Sequence, residues 1–307
     1  MTRTFLARLL PNVLLCALAL TLAACNGSDS DTTSAPQTGT LNLAVTDAPI
    51  DSAQAVVIAF TGIEIHGPRG TKAFDFDSPK TIDLLKYQGS NAAVLLDGAT
   101  LDAGNYQWIR LDVDAGQSYI TLDDGSRHDL VIPSGAESGL KLVSGITIPA
   151  GGAADFTIDF DLRKSINAPA DASTAYKLRP ALRLINNVEV GTIEGSVANT
   201  LSIGTLSIAD ATCGPTVYAY AGANAIPADV DTSADTTDGQ PLASSMLTLN
   251  NTTGAYDYEI GFLTEGEYTL TVTCAKLDAP GQADTLNFSA TKTVSVTANE
   301  TTTADFD

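Results

Sequence analysis

Residues 154–162 read ADFTIDFDL. Phe156, Ile158, Phe160 and Leu162 alternate with Thr157, Asp159 and Asp161, so every second side chain is apolar. A period of two puts the apolar set on one face of an extended strand and the polar set on the other. Working outward, residues 41–45 alternate in the same way, and residues 55–60 (AVVIAF) form a continuous apolar run of strand length. Further strand-like runs occupy residues 107–113, 118–122, 129–132, 145–148 and 176–185. Gly67-Pro68, Asp97-Gly98, Ala103-Gly104-Asn105, Asp124-Gly125 and Ala150-Gly151-Gly152 punctuate them, and Asp124-Gly125 marks a tight hairpin. Only residues 82–87 offer a turn or two of helix. Short strands at regular spacing predict an all-β chain built as antiparallel β-sandwiches.

The chain has 307 residues, with 16 basic and 36 acidic side chains, two histidines and four cysteines. That length suits two domains, each large enough for its own core. The acid excess repels phosphate backbones, which argues against nucleic acid as a partner. Two histidines leave little material for zinc or imidazole catalysis. The composition changes near residue 188: residues 26–189 hold 12 basic and 21 acidic side chains, whereas residues 190–307 hold only Lys276 and Lys292 against 15 acids. The expected domains are therefore 39–187 and 188–307. Strand-like runs at 191–197, 216–220, 245–249, 256–262, 268–274, 286–290, 294–296 and 301–306 are enough for a second small sandwich.

Residues 1–24 combine Arg3 and Arg8 with an apolar stretch that ends in small residues, the pattern of an export signal. Leu22-Ala23-Ala24-Cys25 resembles the lipobox of bacterial lipoproteins. That resemblance implies cleavage before Cys25 and acylation of its thiol and new amino group, with membrane lipid as the first partner. Asn26 in place of an aspartate favours the outer membrane over inner-membrane retention. Removing residues 1–24 takes away two basic residues and no acid, so the mature charge is 14 − 36 = −22. Residues 26–38 (NGSDSDTTSAPQT) have no large apolar side chain and read as a tether. Cys16 leaves with the signal and Cys25 carries lipid, so Cys213 and Cys274 remain as a pair in an oxidising compartment and are predicted to form a disulfide.

Four segments carry a resemblance. They are Thr46-Asp47-Ala48-Pro49; Pro133-Ser134-Gly135 with Ser138-Gly139-Leu140-Lys141-Leu142; Asp159-Phe160-Asp161-Leu162 with Lys164-Ser165-Ile166; and Tyr176-Lys177-Leu178-Arg179-Pro180. Through them residues 39–187 resemble the bacterial lipoprotein family of domain of unknown function 4382. The resemblance implies an exported all-β module and no activity. Residues 190–307 more weakly resemble the carboxypeptidase-regulatory-like, transthyretin-like sandwiches, through Gly191-Thr192-Ile193-Glu194-Gly195, Gly254-Ala255-Tyr256 and Leu263-Thr264-Glu265-Gly266-Glu267-Tyr268. That implies a non-catalytic appendage.

No Gly-x-Ser-x-Gly elbow, His-Glu-x-x-His, phosphate loop or Cys-x-x-Cys occurs, so no catalytic residue, enzyme activity or cofactor is expected. His128 lies beside Asp123, Asp124 and Asp129 in the predicted hairpin, where a solvated, aspartate-paired histidine outweighs a metal or acid–base role. Asp75/Asp77, Asp112/Asp114 and Asp159/Asp161 each project two carboxylates from one strand face; Asp112, Asp114, Asp159 and Asp161 are the calcium candidates. No calcium loop of hand type is present, and the structural reading is preferred. In it Lys177, Arg179 and Arg183, on the polar face of residues 176–184, neutralise the aspartates across the ladder. Trp108 shares a face with Arg110, Asp112 and Asp114 by strict alternation and could stack a sugar or cation. A local bulge turning it inward is the preferred alternative. The reading is a lipid-anchored, non-enzymatic envelope protein that binds an envelope protein or glycan or supports an assembly. A calcium- or carbohydrate-dependent adhesion module is the alternative.

Overall fold

The computed structural model describes residues 37–48, 53–132, 139–169, 175–230, 239–274 and 286–307. The signal segment, Cys25, most of the tether and the Pro133-Ser134-Gly135 motif lie outside the described residues. Residues Pro36–Asp307 form one compact unit. Among the described residues no helix is long and apolar enough to cross a membrane.

In chain order the first part comprises β1 (Thr38–Ala48), β2 (Ala53–Gly67), β3 (Gly70–Asp83), β4 (Ala93–Asp102), β5 (Gly104–Tyr106), β6 (Trp108–Val113) and β7 (Tyr119–Leu122). It continues with β8 (Arg127–Val131), β9 (Leu140–Leu142), β10 (Ile146–Ile148), β11 (Ala153–Asp161), a one-turn helix Leu162–Ser165, β12 (Ile166–Asn167), β13 (Tyr176–Leu178) and β14 (Leu182–Asn186). A smaller sheet has the order β14-β11-β1-β4; a larger one runs β12-β13-β8-β7-β2-β6-β9, with β3 on the free side of β2, and β10 and β5 pair apart from both. Leu41, Leu43 and Val45 of β1 and Ile158 and Phe160 of β11 face Ile63, Ile65, Ile109 and Leu111 in one hydrophobic core. Phe60 and Phe160 meet edge to face across it at 6.2 Å.

After the 3-10 turn Asn187–Glu189 come β15 (Val190–Val197), β16 (Ser202–Ile203), β17 (Leu206–Ser207), β18 (Pro215–Ala221), β19 (Ala243–Met246) and β20 (Thr248–Leu249). The chain closes with β21 (Tyr256–Thr264), β22 (Gly266–Cys274), β23 (Lys292–Val296) and β24 (Thr301–Thr303). Sheets β20-β21-β15-β24 and β19-β18-β22-β23 enclose a second core of Ile193, Val197, Ile260, Val217, Leu270 and Val272. Cys213 and Cys274 form the expected disulfide, 61 residues apart in sequence.

The all-β class holds, and most pairings are antiparallel. Three are parallel: β1 with β11, β13 with β8, and β15 with β24. Three local readings are corrected. Residues 176–185 are not one strand: β13 joins the larger sheet and β14 the smaller, with Arg179-Pro180-Ala181 between them. Proline fixes φ and offers no backbone donor, so the ladder breaks there. Asp97-Gly98 does not end a strand; the pair bulges opposite Asn42, whose Oδ1 accepts the Gly98 N–H at 2.8 Å. Residues 286–290 make a single bridge, Thr273 to Phe288, and not a strand.

Candidate functional site

The polar face of the β14-β11-β1-β4 sheet is where the chemistry-bearing residues gather. In register, Asp159 of β11 stands between Thr46 of β1 and Arg183 of β14. Arg183 donates to Asp159 Oδ2 from Nη2 at 2.9 Å and from Nε at 3.2 Å. Part of this face is shielded from water, although Asp155 on it is exposed. Thr157, Asp159 and Ile185 are buried on it. A cavity of about 20 Å³ beside Asp159 and Arg183 is walled by Ala243, Ser244, Ile260, Gly261 and Phe262 of the second core's sheets. The exterior position expected for Asp159 is therefore corrected: a second layer covers it. Burial raises its carboxyl above the ordinary range, and the Arg183 guanidinium opposes that rise without cancelling it.

The helix Leu162–Ser165 continues this contact. Asp161 caps it, accepting the Lys164 N–H at 3.2 Å, and pairs with Lys164 Nζ at 2.7 Å. Arg163, whose side chain is 6% exposed, enters the second part of the molecule. It hydrogen-bonds the Tyr218 hydroxyl, lies 5.0 Å from that ring's centroid and stands 3.9 Å from Asp229 Oδ1. Tyr218 in turn donates to Asp229 at 3.2 Å. Lys164 Nζ reaches the Pro241 carbonyl at 3.3 Å, and Ser90 N–H donates to Glu259 Oε1 at 2.7 Å. The backbones also touch: a Cβ on Gly261 would stand 2.5 Å from the Gly89 carbonyl oxygen, so only glycine fits. Buried charges are tolerated when paired and hydrogen-bonded, which is the condition Arg163 meets.

The other candidates do not converge. Asp112 remains on the outer face of β6, its carboxyl raised by partial burial and by Glu64. Asp114 lies in the following turn, accepting from Gln117 Nε2 at 2.6 Å and Gly116 N–H at 2.9 Å; these donors lower its carboxyl. Among the described residues no group of three histidine, cysteine or acidic side chains is placed to hold a metal. The charge lattice is reduced to Arg183 with Asp159; among the described residues Arg179 makes no ion pair, and its N–H donates to the Ser165 carbonyl at 2.7 Å. Trp108 is not turned inward, which corrects the bulge reading. It keeps the outer face of β6, stacked on His66 of β2 at 5.2 Å, with Lys141 Nζ of β9 4.5 Å from its centroid. Because β2 and β9 flank β6 on opposite sides, the indole is bracketed from both. His128 Nε2 is 3.1 Å from Ser126 Oγ, which donates to Asp124 Oδ1 at 2.6 Å. The serine thus separates the acid from the imidazole, the wrong order for an activated nucleophile.

An open cleft of about 530 Å³ also lies between Gln88 to Asn91 and the β15-β21 surface. Three of its four carboxylates have local donors: Glu259 accepts from Ser90, Asp305 from Ser196 N–H at 2.7 Å and Asp257 from Asn250 at 2.7 Å. Sequence reasoning missed Arg163, Tyr218 and Asp229. A signal existed: Val217-Tyr218-Ala219-Tyr220 is apolar on both faces, the mark of a strand covered on both sides.

Residues 38–180 match the family model described as Domain of unknown function (DUF4382). This segment is a DUF4382 domain. The match ends before β14, so Arg183 lies beyond it, whereas Asp159, Asp161 and Arg163 lie inside. No curated protein matches the sequence. Among solved structures, a leucine-rich repeat protein from Bacteroides thetaiotaomicron is 13% identical, with TM-score 0.23, over 88% of this chain and 26% of that one. The Bacillus anthracis TIE protein is 11% identical, with TM-score 0.20, over 88% of this chain and 34% of that one. GBS52, the minor pilin of Streptococcus agalactiae, is 9% identical, with TM-score 0.20, over 87% and 94%. The chain thus spans about a quarter to a third of the first two. Likeness at these scores carries no argument about function.

Proposed function

We propose that the mature chain is a lipid-anchored protein of the cell envelope with a non-enzymatic structural or binding role. Residues 1–24 are its signal peptide, Cys25 is acylated, and the outer membrane holds it. Its folded body has two domains, the DUF4382-like 39–187 and the sandwich 188–307. The observation that carries the non-enzymatic reading is the engagement of the polar side chains. Asp159, Asp161, Arg163 and Arg183 are tied to one another and to the second core, and Trp108 is bracketed by His66 and Lys141. The disulfide supports an oxidising compartment. Metabolic labelling with a radioactive fatty acid tests the anchor. Label in the wild type, and in Cys25→Ser loss of label with release into the soluble fraction, is the expected outcome. An unlabelled wild type, or a Cys25→Ser variant that still partitions with membranes, would overturn it.

A further inference from the structure

The end of the DUF4382 domain at which β1 begins gathers cations in an acidic chain. Thr38 opens β1 and lines a pocket of about 140 Å³ with Arg69, Lys72, Asp102 and Tyr106. Arg69 occupies the β2–β3 hairpin, with its side chain 59% exposed and its Nε 3.7 Å from Asp102, a separation at which water screens the pair. Next to this hairpin, His66 pairs with both Thr71 and Trp108 across the ladder. Lys141 Nζ and the Arg110 guanidinium lie 4.5 and 5.1 Å from the indole centroid. Four cations, Arg69, Lys72, Arg110 and Lys141, therefore lie about the chain's only tryptophan and the start of its first strand; Asp102 pairs with Arg69 and Glu64 with Arg110, which Asp112 also attracts.

From here β1 runs about 30 Å to Asp47, its penultimate residue, which lines the cavity against the second core. Residues 190–307, beyond that contact, carry two lysines against 15 acids. The acid excess is thus greatest beyond the far end of β1. Twelve residues separate Cys25 from Thr38, a span of at most about 45 Å.

We propose that this end is a docking surface for the anionic phosphate headgroups of the membrane that holds the acyl chains. It rests on the reading that Cys25 is acylated. Three features favour lipid as the occupant. The chain enters the fold here, a short span after the anchor. The indole with flanking lysine and arginine matches the chemistry of a membrane–water interface. A surface contact made by an already anchored body is intramolecular, so weak attraction per cation suffices. The acidic second half is repelled by the same headgroups and stands away from them.

Trp108, the single tryptophan, is the probe. The lipidated protein, purified from bacterial membranes, is reconstituted into vesicles of phosphatidylethanolamine and phosphatidylglycerol carrying a headgroup quencher. Trp108 fluorescence should be quenched in wild type. Surface residence should fall roughly five-fold per cation removed in Arg69→Gln/Lys141→Gln, and further in Arg69→Glu/Lys141→Glu, while the acyl chains keep the protein on the vesicles. Lys86→Glu/Lys177→Glu, an equal change of charge at exposed lysines elsewhere, should leave quenching as in wild type. An unquenched wild type, or quenching equally insensitive to both pairs of substitutions, would overturn the orientation. Mass spectrometry of the amino-terminal peptide reads the anchor separately. An unmodified Cys25 would overturn the anchor and this inference with it; an acylated Cys25 beside an unquenched Trp108 would overturn this inference alone.

Discussion

The β11 and β6 strands are built by the same alternation, yet their polar faces end in different surroundings. On β6, Trp108, Arg110 and Asp112 stay half-exposed, and Arg110 pairs with Glu64 at 2.8 Å with both side chains still a quarter or more accessible. On β11, Asp159 pairs with Arg183 at a similar distance but lies beneath the second core's sheets. Period two says which side chains share a face; it says nothing about whether a second layer covers that face. The chemical consequence falls on the carboxylate: both arginines keep a quarter or more of their side chains accessible, but Glu64 is 31% exposed and Asp159 only 12%.

The comparison can be broken at several strengths. Arg163→Met should have the largest effect. It leaves Asp229, whose side chain is 1% exposed, without that partner, and losing one member of a buried pair costs about 3–5 kcal/mol, readable as a fall in the denaturant midpoint. Gly261→Ala drives a methyl against the Gly89 carbonyl and should cost about 1–3 kcal/mol by overpacking at the same interface. A stability near that of wild type would mean that the two layers are looser than described.

Asp159 sharpens the contrast through pH. Its carboxyl is raised by burial, so the folded chain binds the proton more tightly than the unfolded one. That contribution is fully present below the unfolded-chain value of about 3.9 and is lost as pH rises through the higher folded-state value. Asp159→Asn cannot ionise and lacks the decline. Between about pH 3 and 7 the stability difference should therefore move in the variant's favour, as measured by urea titrations at each pH. The smallest effect is expected on the wet face: Glu64→Gln should change stability by less than about 1 kcal/mol, and less still at high salt.

Much of the fold was legible from residues alone. The inward set of β11, the Asp124-Gly125 hairpin and the Cys213–Cys274 bridge all follow from period, turn chemistry and cysteine arithmetic. What was hidden has physical causes. β3 and β4 escaped notice because each carries turn-like residues inside a strand: Pro79 falls in an irregular stretch opposite Thr61, and Gly98 bulges opposite Asn42. Bulges accept proline and glycine, so local punctuation gave a false stop. The interface was hidden for a different reason. Asp159 and Arg163 carry charges that a local reading assigns to water, and only long-range packing brings Tyr218 and Asp229 to meet them.

The central claim is that these side chains join the two cores into one body rather than face a ligand. Scanning calorimetry of the mature, disulfide-intact protein tests it most directly, since docked cores that share a buried ion network should unfold together. One cooperative transition in wild type, splitting into two in Arg163→Met, is the predicted result. Two separate transitions in wild type, unmoved by Arg163→Met, would contradict it.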